Sequence, residues 1–182
     1  MSIPAEDRAK LVALARAAVE AEIKDLPPPA ADVSTGLLSE RRGCFVTLTN
    51  RGRLRGCIGT FSPHGPLGQM VVEMGMAAAC DPRFVYNPVT PTELPQLTIE
   101  VSVLSPLELT FQPEQLEIGK HGIYIIGGNR AGCFLPEVAT DQGWAAEEFL
   151  DQCCEHKAGL PKGSWRKPGT NVYLFTSEKF DH

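Results

Sequence analysis

Eight residues, Leu97-Thr98-Ile99-Glu100-Val101-Ser102-Val103-Leu104, alternate apolar and polar side chains almost without a break. A period of two fits an extended strand and no helix. Leu97, Ile99, Val101 and Val103 therefore face one way; Thr98, Glu100 and Ser102 face the other. A chain carrying this segment has to build a sheet with one apolar face. Ser105-Pro106 ends the strand.

The remaining elements fit around that sheet. Cys44-Phe45-Val46-Thr47-Leu48-Thr49 is a strand by its β-branched and aromatic content, and Asn50-Arg51-Gly52 turns it back. Further strands are expected at Ile123–Ile126, Ala131–Leu135 and Asn171–Thr176, with a hairpin turn at Gly127-Gly128-Asn129-Arg130. Apolar residues recur at helical spacing over Pro4–Leu26, Leu67–Cys80 and Trp144–His156. Pro27-Pro28-Pro29, Asp81-Pro82 and the Gly159-Leu160-Pro161 run stop them. Hairpins separated by helices predict an α+β fold with a mostly antiparallel sheet flanked by helices. The span from Arg83 to Pro95 holds three prolines and reads as an ordered loop, the mark of a smaller lobe or a cleft wall.

The length, 182 residues, suits a single domain, or one domain with a small lobe, and a core without staples. A net charge of -5 opposes non-specific nucleic-acid binding. No apolar run reaches membrane-spanning length and the N-terminus has no signal-peptide pattern, so the cytoplasm is the expected compartment. The six cysteines are scattered with no C-x-x-C pair, which argues against a disulfide framework or a zinc ribbon. The four histidines lack ligand spacing, so no metal is expected. Gly127-Gly128-Asn129 lacks the lysine and hydroxyl of a phosphate loop, and no cofactor is expected.

One stretch stands apart: Arg53-Leu54-Arg55-Gly56-Cys57-Ile58-Gly59-Thr60-Phe61. Strand alternation puts Arg53, Arg55 and Cys57 on one face and anchors Leu54 and Ile58 in the core. Gly56 and Gly59 mark close approach of a backbone or ligand, with a bend or bulge near Gly56. Cations beside a thiol lower its pKa, so Cys57 is a candidate nucleophile or redox thiol; the alternative is a buried structural thiol in a tight glycine-rich segment. Guanidinium forks suit carboxylate or phosphate, so Arg53 and Arg55 are candidates for binding a small anionic substrate, against a solvated strand face or an internal ion pair. His121 is the candidate general base, against a hydrogen-bonded structural histidine. Glu100 either faces solvent or lines a cleft, where Arg55 or Arg83 would make it a buried pair; Arg83 either stands in the cleft wall or pairs locally with Asp81.

Several blocks resemble one family. Leu54-Arg55-Gly56-Cys57-Ile58-Gly59-Thr60-Phe61 is similar to the signature of the AMMECR family, which also supplies protein A of the AmmeMemoRadiSam system. Asp81-Pro82-Arg83-Phe84, Ile99–Pro106, Ile118-Gly119-Lys120-His121-Gly122, Phe134-Leu135-Pro136-Glu137-Val138, Trp144 and Lys157-Ala158-Gly159-Leu160 follow in the family's order. The resemblance covers about residues 36–165 of a single domain spanning 1–182, beyond a helical N-terminal segment at about 4–26. It implies an α+β fold with a larger lobe, a smaller second lobe and a cleft near the signature. It implies no reaction. It does imply partners: a Memo-like, extradiol-dioxygenase-like protein and a radical SAM protein. Two functions follow as expectations: an enzyme or enzyme subunit using the Arg55-Gly56-Cys57 motif on a small anionic substrate, or a non-catalytic ligand-binding or adaptor module.

Overall fold

A computed structural model describes residues 2–181. Numbered along the chain, its strands are β1 (Cys44–Asn50), β2 (Arg53–Thr60), β3 (Leu97–Leu104), β4 (Glu108–Thr110), β5 (Gly122–Gly127), β6 (Arg130–Phe134), β7 (Thr170–Phe175) and β8 (Ser177–Asp181). The α-helices are α1 (Ala5–Ile23), α2 (Leu67–Ala79), α3 (Pro136–Gln142) and α4 (Ala146–Cys153). The fold is α+β, with two four-stranded sheets in the orders β2-β1-β3-β8 and β4-β7-β5-β6. The chain divides into two compact units: residues up to Leu104 together with the segment from Glu178, and Ser105–Ser177.

In the first unit β3 behaves as its alternation predicts. Ile99, Val101 and Val103 are buried on the core face, and Ile99 pairs with Leu48 and Val101 with Val46 of β1, so two strands share one apolar surface. α1 and α2 cover it. Glu6 and Asp7 in the first turn of α1 complement the helix dipole, and Leu11, Val12, Ala15 and Val19 form the buried stripe. α2 contributes Leu67, Met70, Val71 and Ala78. The helices meet through small residues: a Cβ on Gly75 would lie 3.0 Å from Ala18 Cβ and 3.2 Å from Ala15 O. Burying each large aliphatic side chain here stabilises the fold by about 2 kcal/mol.

The β1–β2 hairpin departs from the predicted alternation. Asn50 pairs with Arg53 and Thr49 with Leu54, but Leu48 pairs with Gly56. Arg55 is the extra residue of a β-bulge, one position before the glycine where a bend was expected. An added residue reverses which side every earlier residue faces. Leu54 therefore joins the face of Thr49 rather than that of Ile58, and is 42% exposed. Arg55 turns inward and is 8% exposed. The expectation of Leu54 inside and Arg55 outside is reversed for this reason, whereas Cys57 and Ile58, beyond the bulge, keep their predicted sides opposite Thr47 and Val46.

The second unit packs α4 against β5 and β6. Phe149, Leu150 and Cys153, all predicted core positions, are fully buried with Ile123 and Ile125. α4 passes into a π turn, Cys154–Ala158, which lies on β6: a Cβ on Gly132 would fall 2.2 Å from Ala158 N. Trp165 is buried, and its Nε1–H donates to Asp151 Oδ1 at 2.8 Å. Among the described residues, no helix is long and apolar enough to cross a membrane.

Candidate functional site

The bulge splits the signature strand between two local environments. On one side is a groove of about 640 Å³ lined by Asn50, Arg51, Arg53, Leu54, Arg55, Phe84, Asn87, Glu93 and Gln96. On the other is the face of the sheet that carries Cys57.

Arg55 forms the fixed part of the groove. Its Nε and Nη2 donate to Glu93 Oε1 and Oε2 at 2.9 and 3.1 Å, the two-pronged geometry that makes guanidinium–carboxylate pairs strong. Its Nη2 also donates to Pro88 O at 3.1 Å. Glu93 accepts further bonds from Asn50 Nδ2 at 3.1 Å and Thr90 N at 3.0 Å. With Arg55 as the largest cause, these donors pull the Glu93 carboxyl down to about 2. The ion pair ties the hairpin to a segment that the sequence presents only as a proline-rich loop. Arg51 and Arg53 have no side-chain ion-pair or hydrogen-bond partner among the described residues, and both residues line the groove.

Arg83 is engaged in the same way. Asp81 caps the short turn Pro82–Phe84 by accepting from Arg83 N, and its carboxylate receives Arg83 Nη2 at 2.6 Å. Those bonds, Arg83 foremost, hold the Asp81 carboxyl well below the usual carboxylate range. Of the two sequence readings of Arg83, the local pair is the one formed. Both residues also grip β2: Cys57 N donates to Asp81 Oδ2 and Arg83 Nη2 donates to Cys57 O, each at 3.0 Å. The guanidiniums of Arg55 and Arg83 lie 5.8 and 5.9 Å from the centre of the Phe84 ring, joining the two environments through one aromatic side chain.

Gly56 makes this approach feasible. A Cβ there would fall 2.0 Å from Ala78 O, so the end of α2 and the Asp81 turn come up against bare backbone.

On the sheet face, Cys57, Thr47 and Glu100 form a cross-strand row, because Thr47 pairs with Cys57 on one side and Glu100 on the other. Thr47 Oγ1 donates to Cys57 Sγ at 3.2 Å. Glu100 has Lys179 Nζ at 3.9 Å. The expected pair of Glu100 with Arg55 or Arg83 does not form, since those guanidiniums go to Glu93 and Asp81. His121 belongs to the second unit, where its Nδ1 accepts from Glu117 N at 2.9 Å and its backbone N–H donates to Glu117 O at 3.0 Å. Of the other thiols, burial pushes Cys44 up to about 12 and Cys133 up to about 11, and also raises Cys153 and Cys154. Among the described residues, no group of three His, Cys, Asp or Glu is placed to hold a metal ion.

Sequence reasoning missed Glu93, Thr47, Asn50 and Arg51. Only Thr47 carried a usable signal, since hairpin register places it across from Gly56 or, with one bulged residue, Cys57.

The AMMECR1 family model matches residues 12–180, beyond the 36–165 reached by the sequence blocks at both ends. Protein TK0174 of Thermococcus kodakarensis is 44% identical over 184 residues, covering 94% of this chain and 88% of that protein. A protein of Methanothermobacter thermautotrophicus is 42% identical over 182 residues, covering 93% and 91%. The crystal structure of the uncharacterized protein PH0010 from Pyrococcus horikoshii superposes with a TM-score of 0.78 at 38% identity, covering 94% of this chain and 89% of that one. With the family model spanning nearly its whole length and relatives this similar, the chain belongs to the AMMECR1 family.

Proposed function

We propose that this chain is the ligand-holding member of a larger enzyme system. It binds a small anionic molecule in the groove walled by Arg51, Arg53 and Arg55, and acts with the Memo-like and radical SAM proteins that the family resemblance brings. The observation that carries this reading is the Arg55–Glu93 pair. It fixes one guanidinium in the wall and leaves Arg51 and Arg53 as cations with unused donors. A cytoplasmic setting is part of the proposal, and six free cysteines suit a reducing compartment.

A second reading keeps Cys57 as nucleophile or redox thiol, with Glu100 in the same cross-strand row. The Thr47–Cys57 hydrogen bond favours it. The cation serving the thiol is then Arg83, bonded to the Cys57 carbonyl, and not Arg55.

Isothermal titration with small carboxylates and phosphates, on the wild type and on Cys57→Ser, tests both. The holding role predicts anion binding and capture of Memo-like or radical SAM partners, both unchanged in Cys57→Ser. Failure of every anion to bind rejects it. Rapid native-state alkylation of Cys57 by iodoacetamide, slowed by the bound anion, supports the catalytic reading instead.

A further inference from the structure

The β1–β2 turn is built at an energetic disadvantage. Arg51 and Gly52 both have positive φ, 50° and 77°. A two-residue hairpin turn of this kind favours Asn-Gly, Asp-Gly or Gly-Gly, since a long side chain in the left-handed region is strained. Arginine at the first position gains nothing from the turn, and the Arg51 side chain has no partner within the described residues. Strain kept at a residue facing a cavity points to use of its side chain.

Charge narrows the use. Three guanidiniums line the groove against one carboxylate, Glu93, which stays ionised at neutral pH. That leaves two positive charges in excess, on a chain whose net charge is -5. The groove, about 640 Å³, is far larger than a bare phosphate needs. Its remaining lining is mixed: Leu54 and Phe84 offer apolar surface, and Asn87 and Gln96 offer amides.

We infer that the groove takes an organic dianion of the phosphomonoester kind. The phosphoryl group sits on Arg51 and Arg53, and the organic body lies along Leu54 and Phe84. Arg51 is a binding residue whose strained backbone is retained for that contact. Guanidiniums on adjoining positions of a hairpin suit a phosphoryl group with several acceptor oxygens. This rests on the groove being an anion site, as proposed above.

Calorimetry of the full chain at low salt with phenyl phosphate, inorganic phosphate and benzoate tests it. Phenyl phosphate binds at least tenfold tighter than benzoate, its singly charged counterpart, and tighter than inorganic phosphate. Arg51→Asn weakens phenyl phosphate by about tenfold while raising the melting temperature by about 2–4 °C as the strain is relieved. Arg53→Gln gives the same loss of affinity without the rise. Lys120→Gln, in the second unit, changes neither. Equal affinity for phenyl phosphate and benzoate overturns the assignment, as does an Arg51→Asn variant that is more stable yet binds as well as wild type. If neither benzoate nor the phosphates bind, the anion-site reading itself fails. If benzoate binds and phenyl phosphate is no tighter, only the dianion assignment fails.

Discussion

Replacing Glu93 by glutamine removes one charge and almost no volume, and isolates what the carboxylate contributes. Holding that carboxyl at about 2 against an ordinary 4.5 corresponds to about 3 kcal/mol at neutral pH. The side chain is 21% exposed, so solvent reduces this to about 2 kcal/mol. The variant also leaves the buried Arg55 guanidinium without its counter-charge, and the glutamine amide cannot accept both of its donors. Glu93→Gln should therefore lower the melting temperature of the 182-residue chain by about 4–8 °C at pH 7. The pH dependence supplies a sharper check. The folded carboxyl titrates below its unfolded value, so its contribution is complete above about pH 5 and is lost as the pH falls towards 2. Wild type and variant should therefore converge in stability as the pH drops through that window. Differential scanning calorimetry from pH 7 to pH 3 reads both effects. Parallel curves, or a loss under about 0.5 kcal/mol at pH 7, would refute the claim that this ion pair organises the groove.

Two further substitutions test the packing that positions the site. Gly56→Ala should destabilise the chain by about 3 kcal/mol or more in urea unfolding, because the new methyl meets the Ala78 carbonyl, which is backbone and cannot swing away. Gly52→Ala meets no atom within 4 Å and should cost only about 1 kcal/mol, for its positive φ. In the second unit, Asp151→Ala leaves the buried Trp165 Nε1–H unpaired and should cost about 2–3 kcal/mol, read by tryptophan fluorescence during unfolding. Asp151→Asn, which keeps an acceptor, should cost much less.

The elements that sequence alone exposes are those with a long, regular pattern. The alternation of Leu97–Leu104 and the helical spacing of Leu67, Met70 and Val71 locate β3 and α2 to within a residue. α3 escapes because its seven residues complete barely two turns. β8 escapes because Ser177–Asp181 carries alternating charge with only Phe180 apolar. The site is half legible. Glycines and a cysteine among arginines single out β2, but face assignment depends on counting by twos, and one bulged residue upsets the count for Leu54 and Arg55. The partners are harder still. Glu93 is 38 positions from Arg55 and lies in a segment with no periodicity, so nothing local announces that they meet. Arg51 reads as an ordinary turn residue until its φ is known.

The grip of Asp81 and Arg83 on Cys57 has a consequence for how the molecule keeps to itself. β2 is the outermost strand of its sheet, and such a strand offers unpaired amides and carbonyls to any passing extended chain. Here the Cys57 N–H is occupied by a carboxylate and its carbonyl by a guanidinium, the two bonds that a neighbouring strand would otherwise make. One ion pair thus stands in for a missing strand at the middle of the edge, and the bulge at Arg55 breaks the straight run beside it. The residues that shape the site also act as a guard against self-association. A chain without the Asp81 carboxylate would be open to edge-to-edge sheet growth here.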